Sequence, residues 1–275
     1  MKKSLFILSL LYIGLHTTPC EGAEAFRSSN ACAAESVSLA SEGSSMAPES
    51  LSYTLYFNWK FVWIKAGRAS LTTRSTTYKG QPAIESTLLA QSANTAEHIY
   101  HLSDTLRTIV TPDIEPLYFV KHCEEGDDIV YERAWFSRTP AGRYRADISK
   151  VYPDGKERKA DYEGDTPVYD MISVMLHART LPFATLSKGR RLTYPVAGGR
   201  RVDMQTLVYM GRETVKTQAG KDVATHVFSL VSPKTKDGLT TEVEVLRFYI
   251  SDDPAHTPVQ IDLNLKFGTA KAKLN

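Results

Sequence analysis

The chain has 275 residues, 42% hydrophobic and 23% charged, an ordinary globular composition that excludes collagen-like, coiled-coil and wholly disordered chains. Its 33 Lys and Arg residues against 31 Asp and Glu residues give a net charge of only +2, which argues against nucleic acid as a partner, because binding phosphates needs a surplus of cations on one face. The sequence contains no phosphate loop, dinucleotide fingerprint or nucleophile elbow, so we expect no cofactor.

The first 25 residues have the pattern of a signal peptide. Two lysines precede an apolar run from Leu5 to Leu15, which is shorter than the roughly 20 residues that a membrane span needs. Ala23-Glu24-Ala25 fits the small-x-small rule, so we predict cleavage before Phe26 and a periplasmic or secreted protein with no transmembrane span. A lipid anchor at Cys20 is the alternative, although the residues before it match a lipoprotein site poorly.

Residues 26–49 are rich in Ser, Ala and Glu, which predicts a flexible lead-in before a single domain over residues 50–275. The mature chain keeps two cysteines, Cys32 and Cys123. An exported pair can oxidise, so a disulfide between them is one expectation and two independent thiols are the other.

Most of the mature chain has the two-residue alternation of β-strands, beginning with Leu51, Tyr53, Leu55, Phe57 and Trp59. Residues 94–116 are ambiguous. The other predicted strands cover residues 68–78, 83–93, 117–122, 129–136, 144–152, 191–196, 202–210, 223–231, 243–250 and 259–267.

One helix is predicted between these two series of strands. Thr166 is suited to cap it, Pro167 to take its first position and Pro182 to stop it. Apolar residues cover well over half of its circumference, which indicates a buried helix. We therefore expect a mainly β protein in which curved antiparallel sheet forms an open barrel or a two-layer structure around one central helix.

Three groups of residues stand out in the mature chain. They are Leu51-x-Tyr53 leading to Ala66-Gly67-x-Ala69; Asp170-x-x-Ser173 leading to Arg179; and Phe248 to Asp253 followed by Pro258-Val259, Gly268 and Leu274. In this order and spacing they resemble the domain-of-unknown-function 3108 family of exported proteins from Gram-negative bacteria, over about residues 50–275. The resemblance implies an envelope location and a mostly β fold, and it implies no established activity and no catalytic residues.

The predicted helix carries a polar stripe. Asp170, Ser173 and His177 fall within about 60° of one another at 100° per residue. The stripe is a binding or catalytic face, a buried set of groups that bond to neighbouring strands, or the solvated side of the helix. It is not a nucleophilic triad, because the serine lies between the acid and the histidine along the helix axis.

Arg179 falls on the apolar side of the same helix and needs a partner if it is buried. Asp252 or Asp253 is the expected partner. The pair would act as a latch between the helix and the last strands, or as an anchor for an anionic ligand.

Aromatic residues and metal ligands complete the candidates. Tyr53, Tyr56, Trp59 and Trp63 either line a cleft for sugars or acyl chains or pack in the core. Possible metal ligands are His98-x-x-His101, Asp252-Asp253 and the acidic run 124–128, but each falls short of a full ligand set, so no metal site is expected.

The leading functional hypothesis is a non-enzymatic envelope protein that binds a hydrophobic or extended ligand, or a partner, in a β cleft. Lipid, glycan and envelope protein are the partners considered. One alternative is a secreted hydrolase or lyase that acts on a polysaccharide with carboxylates assembled across strands. The other is a structural envelope protein that presents an apolar patch to a partner.

Overall fold

The computed structural model of the protein describes residues 46–59, 62–93, 101–125, 128–199, 201–265 and 268–275. Fourteen strands and one α-helix are seen in this part of the chain. The strands are β1 (Glu49–Trp59), β2 (Val62–Tyr78), β3 (Gln81–Ser92), β4 (Leu102–Val110), β5 (Pro116–Glu125), β6 (Asp128–Arg138), β7 (Tyr144–Val151), β8 (Glu157–Gly164), β9 (Arg191–Gly198), β10 (Arg201–Lys216), β11 (Asp222–Lys236), β12 (Leu239–Ser251), β13 (Pro258–Leu265) and β14 (Gly268–Leu274). The helix α1 (Met171–Arg179) lies between β8 and β9, and a short 3₁₀ turn (Phe183–Thr185) follows it.

All fourteen strands belong to one antiparallel sheet. Its order is β8-β7-β6-β5-β4-β3-β2-β1-β14-β13-β12-β11-β10-β9, so β8 and β9 are the two edges within the described residues and β1 pairs with β14 in the interior of the sheet. The sheet thus consists of two meanders, β1 to β8 and β9 to β14, which are joined through that one pair. A mainly β fold with an open antiparallel sheet around one helix is confirmed.

The core lies on the inner face of the curved sheet. One hydrophobic cluster includes residues from every strand except β8 and β13, together with α1, and Tyr162 of β8 and Ile261 and Leu263 of β13 pack against it. Strand alternation explains which residues take part: Leu71 is 1% exposed, whereas its neighbours Ser70 and Thr72 on the other face of β2 are more exposed. The α-helix packs against β4 and β9, which brings strands from the two meanders to the same helix.

Bulges help the long strands to bend. The pairing of β10 with β11 shifts between Tyr209 and Gly211, and Gly211 has φ +100°, a conformation that a side chain would strain. Gly67 lies beside a second register shift, and a Cβ there would lie 2.1 Å from the main-chain oxygen of Gln91. Both glycines therefore allow curvature or close approach that other residues would oppose.

The α-helix begins later than the sequence predicts. Asp170, not Thr166, is its N-cap, and Pro167 precedes the helix. The reason is that Tyr169 is extended and forms a parallel bridge with Val196 of β9. The helix ends before Pro182, as expected, and none of the described helices is long enough to cross a bilayer.

Three strands lie outside the ranges that the sequence patterns predict. β8 consists mainly of charged and polar residues, so it has no apolar alternation. β4 occupies part of the ambiguous stretch 94–116, where charged and hydroxyl residues interrupt the apolar rhythm. β14 is short and built largely from Ala and Lys, which are weak strand formers, and it forms because β1 and β13 pair with it on both sides.

Candidate functional site

The polar stripe on α1 begins as a helix cap. The Asp170 carboxylate accepts hydrogen bonds from the main-chain N–H of Ile172 (2.9 Å) and of Ser173 (3.0 Å), and the N–H of Asp170 donates to Ser173 Oγ (2.8 Å). Thr108 of β4 donates its hydroxyl to Asp170 Oδ2 at 2.7 Å. Asp170 and Ser173 are both fully buried, so they fasten the start of the helix to the sheet.

His177 has different neighbours from the other two members of the stripe. Its Nδ1 lies 3.1 Å from the Tyr194 hydroxyl, and its ring packs edge-on against Tyr169 and Tyr194. Burial lowers the pKa of His177 to about 4, so the ring is neutral at neutral pH. The structure therefore does not bring Asp170, Ser173 and His177 together as one site.

Arg179 has a different acidic partner from the expected Asp252 or Asp253, so that prediction is wrong. The guanidinium is paired with Glu49 at the start of β1, with Nη1–Oε1 and Nη2–Oε2 distances of 2.5 and 3.0 Å. It also donates to the main-chain oxygens of Ala255 (3.2 Å) and His256 (2.7 Å). The loop that follows β12 is the correct region, but it offers carbonyl oxygens to Arg179 and uses its carboxylates elsewhere.

Asp252 and Asp253 each have a local partner. Asp253 Oδ1 accepts from Ser251 Oγ (2.9 Å) and from the N–H of Ala255 (3.0 Å), which shapes the loop that receives Arg179. Asp252 lies 2.8 Å from His226 Nε2, and this hydrogen bond lowers the pKa of Asp252. The second and third motifs of the family resemblance therefore meet at one structural junction.

The aromatic candidates do not share a surface. Tyr53 is buried and donates its hydroxyl to the main-chain oxygen of Pro258 at 2.8 Å, whereas Tyr56 lies on the outer face of the same strand. Trp63 is 46% exposed, with the Lys271 ammonium 5.1 Å from its ring centre. Trp59 is the last residue of β1, and its side chain lies outside the described residues.

Only some of the residues in the cysteine and metal predictions belong to the described part of the chain. Cys20, Cys32 and His98 lie outside the described residues, so the Cys32–Cys123 disulfide stays a prediction, and Cys123 is buried on β5. Among the residues that are described, no three His, Cys, Asp or Glu side chains are grouped as metal ligands.

A row of buried charges crosses the inner face of the sheet and was missed by the motif search. Lys121 of β5 lies opposite Glu132 of β6, and Glu132 lies opposite Lys150 of β7. All three residues are at most 6% exposed, and Lys150 Nζ lies 2.6 Å from Glu132 Oε1. Burial raises the pKa of Glu132, but the two ammonium groups and a main-chain N–H outweigh it, so this pKa lies below its ordinary value. Glu132 is therefore an anion held between two cations.

Asp104 of β4 extends this row and carries its most unusual group. It is 2% exposed, and neither carboxylate oxygen has a hydrogen-bond partner among the described residues. Burial raises its pKa to about 6, and the nearby Cys123 thiol, the Lys121 ammonium and the Glu124 main-chain N–H oppose only part of this shift. We call Asp104, Lys121, Glu132 and Lys150 the charged row. A buried acceptor of this kind can take hydrogen bonds from a ligand's amine or hydroxyl groups.

The other meander covers the charged row. The N–H of Gly199, in the turn between β9 and β10, donates to Glu132 Oε2 at 3.1 Å. Gln205 of β10 is 4% exposed, and its Oε1 also lacks a hydrogen-bond partner within the described ranges. The curvature of the sheet thus encloses the row between its two halves.

The sequence does contain a signal for the charged row. Asp104 lies between Leu102 and Leu106 at inward positions of β4, so a charge occupies a place where the two-residue rhythm calls for an apolar side chain. Lys121 does the same between Phe119 and Cys123. In-phase charges on predicted strands, compared from one strand to the next, would have identified the row.

A separate cleft of about 190 Å³ opens beside the chain segment that leads into α1. Phe136 and Val168 contribute apolar walls, and Arg138 at its margin donates to Glu115 (3.0 Å) and stacks on Tyr144. The polar groups at this margin already bond to one another, so the cleft offers less to a ligand than the charged row does.

Comparison with known proteins supports the fold and supplies the family. A crystal structure titled as a β-barrel-like protein of domain of unknown function DUF1849, from Brucella abortus, aligns with a TM-score of 0.51 at 12% identity, covering 84% of this chain and 96% of that one. At this identity the likeness concerns the fold alone. No curated protein matches the sequence. The profile of the family described as protein of unknown function (DUF3108) matches residues 52–275, and this chain belongs to that family.

Proposed function

We propose that the protein is a non-enzymatic binding protein of the bacterial envelope, and that it holds a small polar ligand against Asp104 inside the curved sheet. The observation that carries this proposal is the Asp104 carboxylate, which is buried and whose two oxygens have no partner in good hydrogen-bond geometry among the described residues, although the Cys123 thiol, the Lys121 ammonium and the Glu124 main-chain N–H lie near enough to lower its pKa. A buried polar group without a partner costs on the order of 1–3 kcal/mol, so a ligand that supplies donors would recover that energy.

The charges of the row indicate the class of ligand. Glu132 already has Lys150 and the Gly199 N–H as partners, whereas the Asp104 oxygens are open acceptors. Gln205 of β10 is a further open acceptor on the inner face of the sheet. Open acceptors favour a ligand that presents an amine or several hydroxyl groups, as amino sugars and other saccharides do.

A polysaccharide hydrolase or lyase has less support. The two buried carboxylates of the row, Asp104 and Glu132, belong to β4 and β6, so their strands are about 10 Å apart with β5 between them. Lys121 lies close enough to both that its charge lowers the pKa of each. This arrangement separates the acids with a cation, whereas glycoside hydrolysis needs two carboxylates that flank one bond.

The envelope location rests on the N-terminal segment. The basic start, the apolar run and the small-x-small sequence of residues 1–25 support export, and a polar ligand of the cell wall or periplasm would then be within reach. Residues 1–25 lie outside the described part of the chain, so location is a separate element of the proposal.

Native mass spectrometry of the protein purified from its own envelope tests the ligand. We expect a low-mass compound to co-purify with the wild type and to fall at least tenfold in Asp104→Asn, which keeps the shape of the side chain. Asp161→Asn is the matched control, since Asp161 is an exposed acid on β8. A wild-type protein without ligand, or equal occupancy in Asp104→Asn, would overturn the proposal. Chemical change of the released compound on incubation would instead establish an enzyme.

A further inference from the structure

Three aromatic rings form a line on the outer face of the first meander. Tyr118 of β5 lies opposite Trp135 of β6, and their ring centres are 6.0 Å apart. Tyr78, at the end of β2, lies against Tyr118 with the ring centres 6.4 Å apart and the two planes within 15°. Trp135 is 36% exposed, and both tyrosines are partly exposed. We call Tyr78, Tyr118 and Trp135 the aromatic row.

The aromatic row does not belong to the hydrophobic core. The residues that alternate with it on β5 and β6, Phe119, Ala134 and Phe136, point inward and are at most 9% exposed. The outward positions of β8, two strands from β6, are all charged, as is usual for a solvated face. Large rings gathered on such a face are binding groups more often than packing groups.

Two arginines with unused donors accompany the row. Arg107 of β4 and Arg133 of β6 lie on either side of Val120 of β5, on the same face as the rings. The Arg107 guanidinium lies 5.9 Å from the Tyr118 ring centre, and that of Arg133 lies 5.2 Å from the Trp135 ring centre. Within the described residues neither guanidinium makes a hydrogen bond, and both side chains are partly exposed. Donors are therefore available beside the rings.

The charge of each guanidinium is nevertheless balanced. Arg107 Nη1 lies 3.6 Å from Glu85 Oε2, and Arg133 Nη2 lies 3.7 Å from Glu157 Oε1. Both distances are longer than a hydrogen bond, so the two acids offset the positive charges without occupying the N–H groups. Open donors without a surplus of positive charge suit a neutral acceptor, such as a hydroxyl oxygen, better than an anion.

The other charges near the row agree with a neutral ligand. The acids beside it have further cationic partners: Arg74–Glu85 (2.6 Å), Arg145–Asp147 (2.8 Å), Arg145–Asp161 (3.8 Å) and Lys159–Glu157 (3.5 Å). Lys79 lies 5.3 Å from the Tyr78 ring centre. The acidic run 124–128 begins six positions along β5 from Tyr118, roughly 20 Å away. Positive and negative groups thus alternate around the row, and neither sign prevails.

We infer that the aromatic row binds an uncharged glycan chain on the outer face of the sheet. The apolar faces of its sugar rings would pack on Tyr118 and Trp135, and its hydroxyl oxygens would accept hydrogen bonds from Arg107 and Arg133. Rings that follow one another at 6.4 and 6.0 Å can contact successive sugars of an extended chain. This combination of stacking surface and flanking polar donors is how a neutral, hydroxyl-rich molecule is held.

A protein partner fits this face less well. The centre of a stable protein interface is apolar and depleted of charge, whereas the two guanidinium groups and their acids lie directly beside the rings. The row also lies on the opposite face of the sheet from Asp104. The inference therefore goes beyond the proposed function and uses no residue of the charged row.

Isothermal titration calorimetry with the β-1,4-linked hexamers of glucose and of N-acetylglucosamine tests the inference. We expect the wild type to bind at least one of them, and Trp135→Ala and Tyr118→Ala to bind it about tenfold more weakly, because each loses one stacked ring. Trp135→Tyr keeps a ring and should retain most of the affinity. Trp63→Ala is the matched control, since Trp63 is also exposed with a cation beside its ring, Lys271 at 5.1 Å, but lies on β2 away from the row.

The same titrations contain the outcomes that would overturn the inference. They are no binding of either hexamer, equal binding by Trp135→Ala and Trp63→Ala, or tighter binding of the acidic hexamer of galacturonic acid. Asp104→Asn should bind like the wild type; if it alone lost binding, the hexamer would lie inside the sheet, which contradicts this inference and not the proposed function. Self-association in sedimentation velocity that Trp135→Ala abolishes would assign the row to a second copy of the chain instead.

Discussion

Arg179 and His256 each bond to the main chain of the other. Arg179 Nε donates to the carbonyl oxygen of His256 at 2.7 Å, and His256 Nδ1 lies 2.6 Å from the carbonyl oxygen of Arg179, to which it donates. The second oxygen is at the last residue of α1, where the helix leaves carbonyl groups unpaired. The helix end and the β12–β13 loop therefore fix each other, and Glu49 balances the charge between them.

Glu49→Gln should destabilise the protein by about 3 kcal/mol, because it leaves the buried Arg179 guanidinium without its counter-charge. Urea unfolding measures the change. The exposed pair Lys216–Asp222 provides the control, and Asp222→Asn should change stability by less than about 1 kcal/mol. Equal effects of the two substitutions would show that Glu49 contributes no more than a surface charge.

Thr108→Val should cost about 1–2 kcal/mol, since it removes the hydroxyl that donates to the buried Asp170 carboxylate. Thr193→Val, which removes a surface hydroxyl bonded to Thr206, should cost less. The urea unfolding midpoints of the two variants measure the difference between their losses of stability. If Thr108→Val were neutral, the start of the helix would depend on its own cap alone.

Asp104 should make the protein less stable as the pH rises. Its pKa is about 6 in the folded protein against an ordinary 3.8, so the folded state binds this proton more tightly. Its contribution is present below pH 4 and is lost between pH 4 and 6, and the total corresponds to roughly 3 kcal/mol. Asp104→Asn should therefore match the wild type near pH 4 and exceed it by up to about 3 kcal/mol at pH 8. A difference that does not vary with pH would refute this account.

His177 should make the protein less stable as the pH falls, over nearly the same pH range. Its pKa is lowered from 6.5 to about 4 by burial, so the unfolded state takes up the proton first and stability falls as the pH drops from 6.5 to 4. The ring resonances in NMR should stay those of neutral imidazole down to pH 5. Titration with a midpoint near 6.5 would contradict the burial of this ring.

The fold was largely accessible to sequence reasoning, and the site was not. Strand alternation and one apolar helix sufficed for an open antiparallel sheet around α1, because both patterns record which side chains face the core. The start of α1 was misplaced because Pro167 is a good first residue of a helix, whereas Tyr169 is held extended by β9. Local preference carries no information about that contact.

The charged row depends on the register between paired strands, and the sequence of a single strand does not reveal that register. Lys121 and Glu132 face each other only after β5 and β6 have paired, and Gly199 reaches Glu132 only after the second meander has folded over the first. Arg179 and Glu49, 130 positions apart, present the same difficulty. A search for local motifs is blind to all three contacts.

The pairing of β1 with β14 has a consequence for how the chain acquires its shape. Thr54 and Asn275, which bond across this junction, are 221 positions apart, so β1 keeps one edge vacant until the far part of the polypeptide has emerged. Assembly is then a late and slow event, since partners so remote in sequence must find each other by diffusion of a long loop. A delay of this kind keeps the polypeptide unfolded until its synthesis is nearly complete.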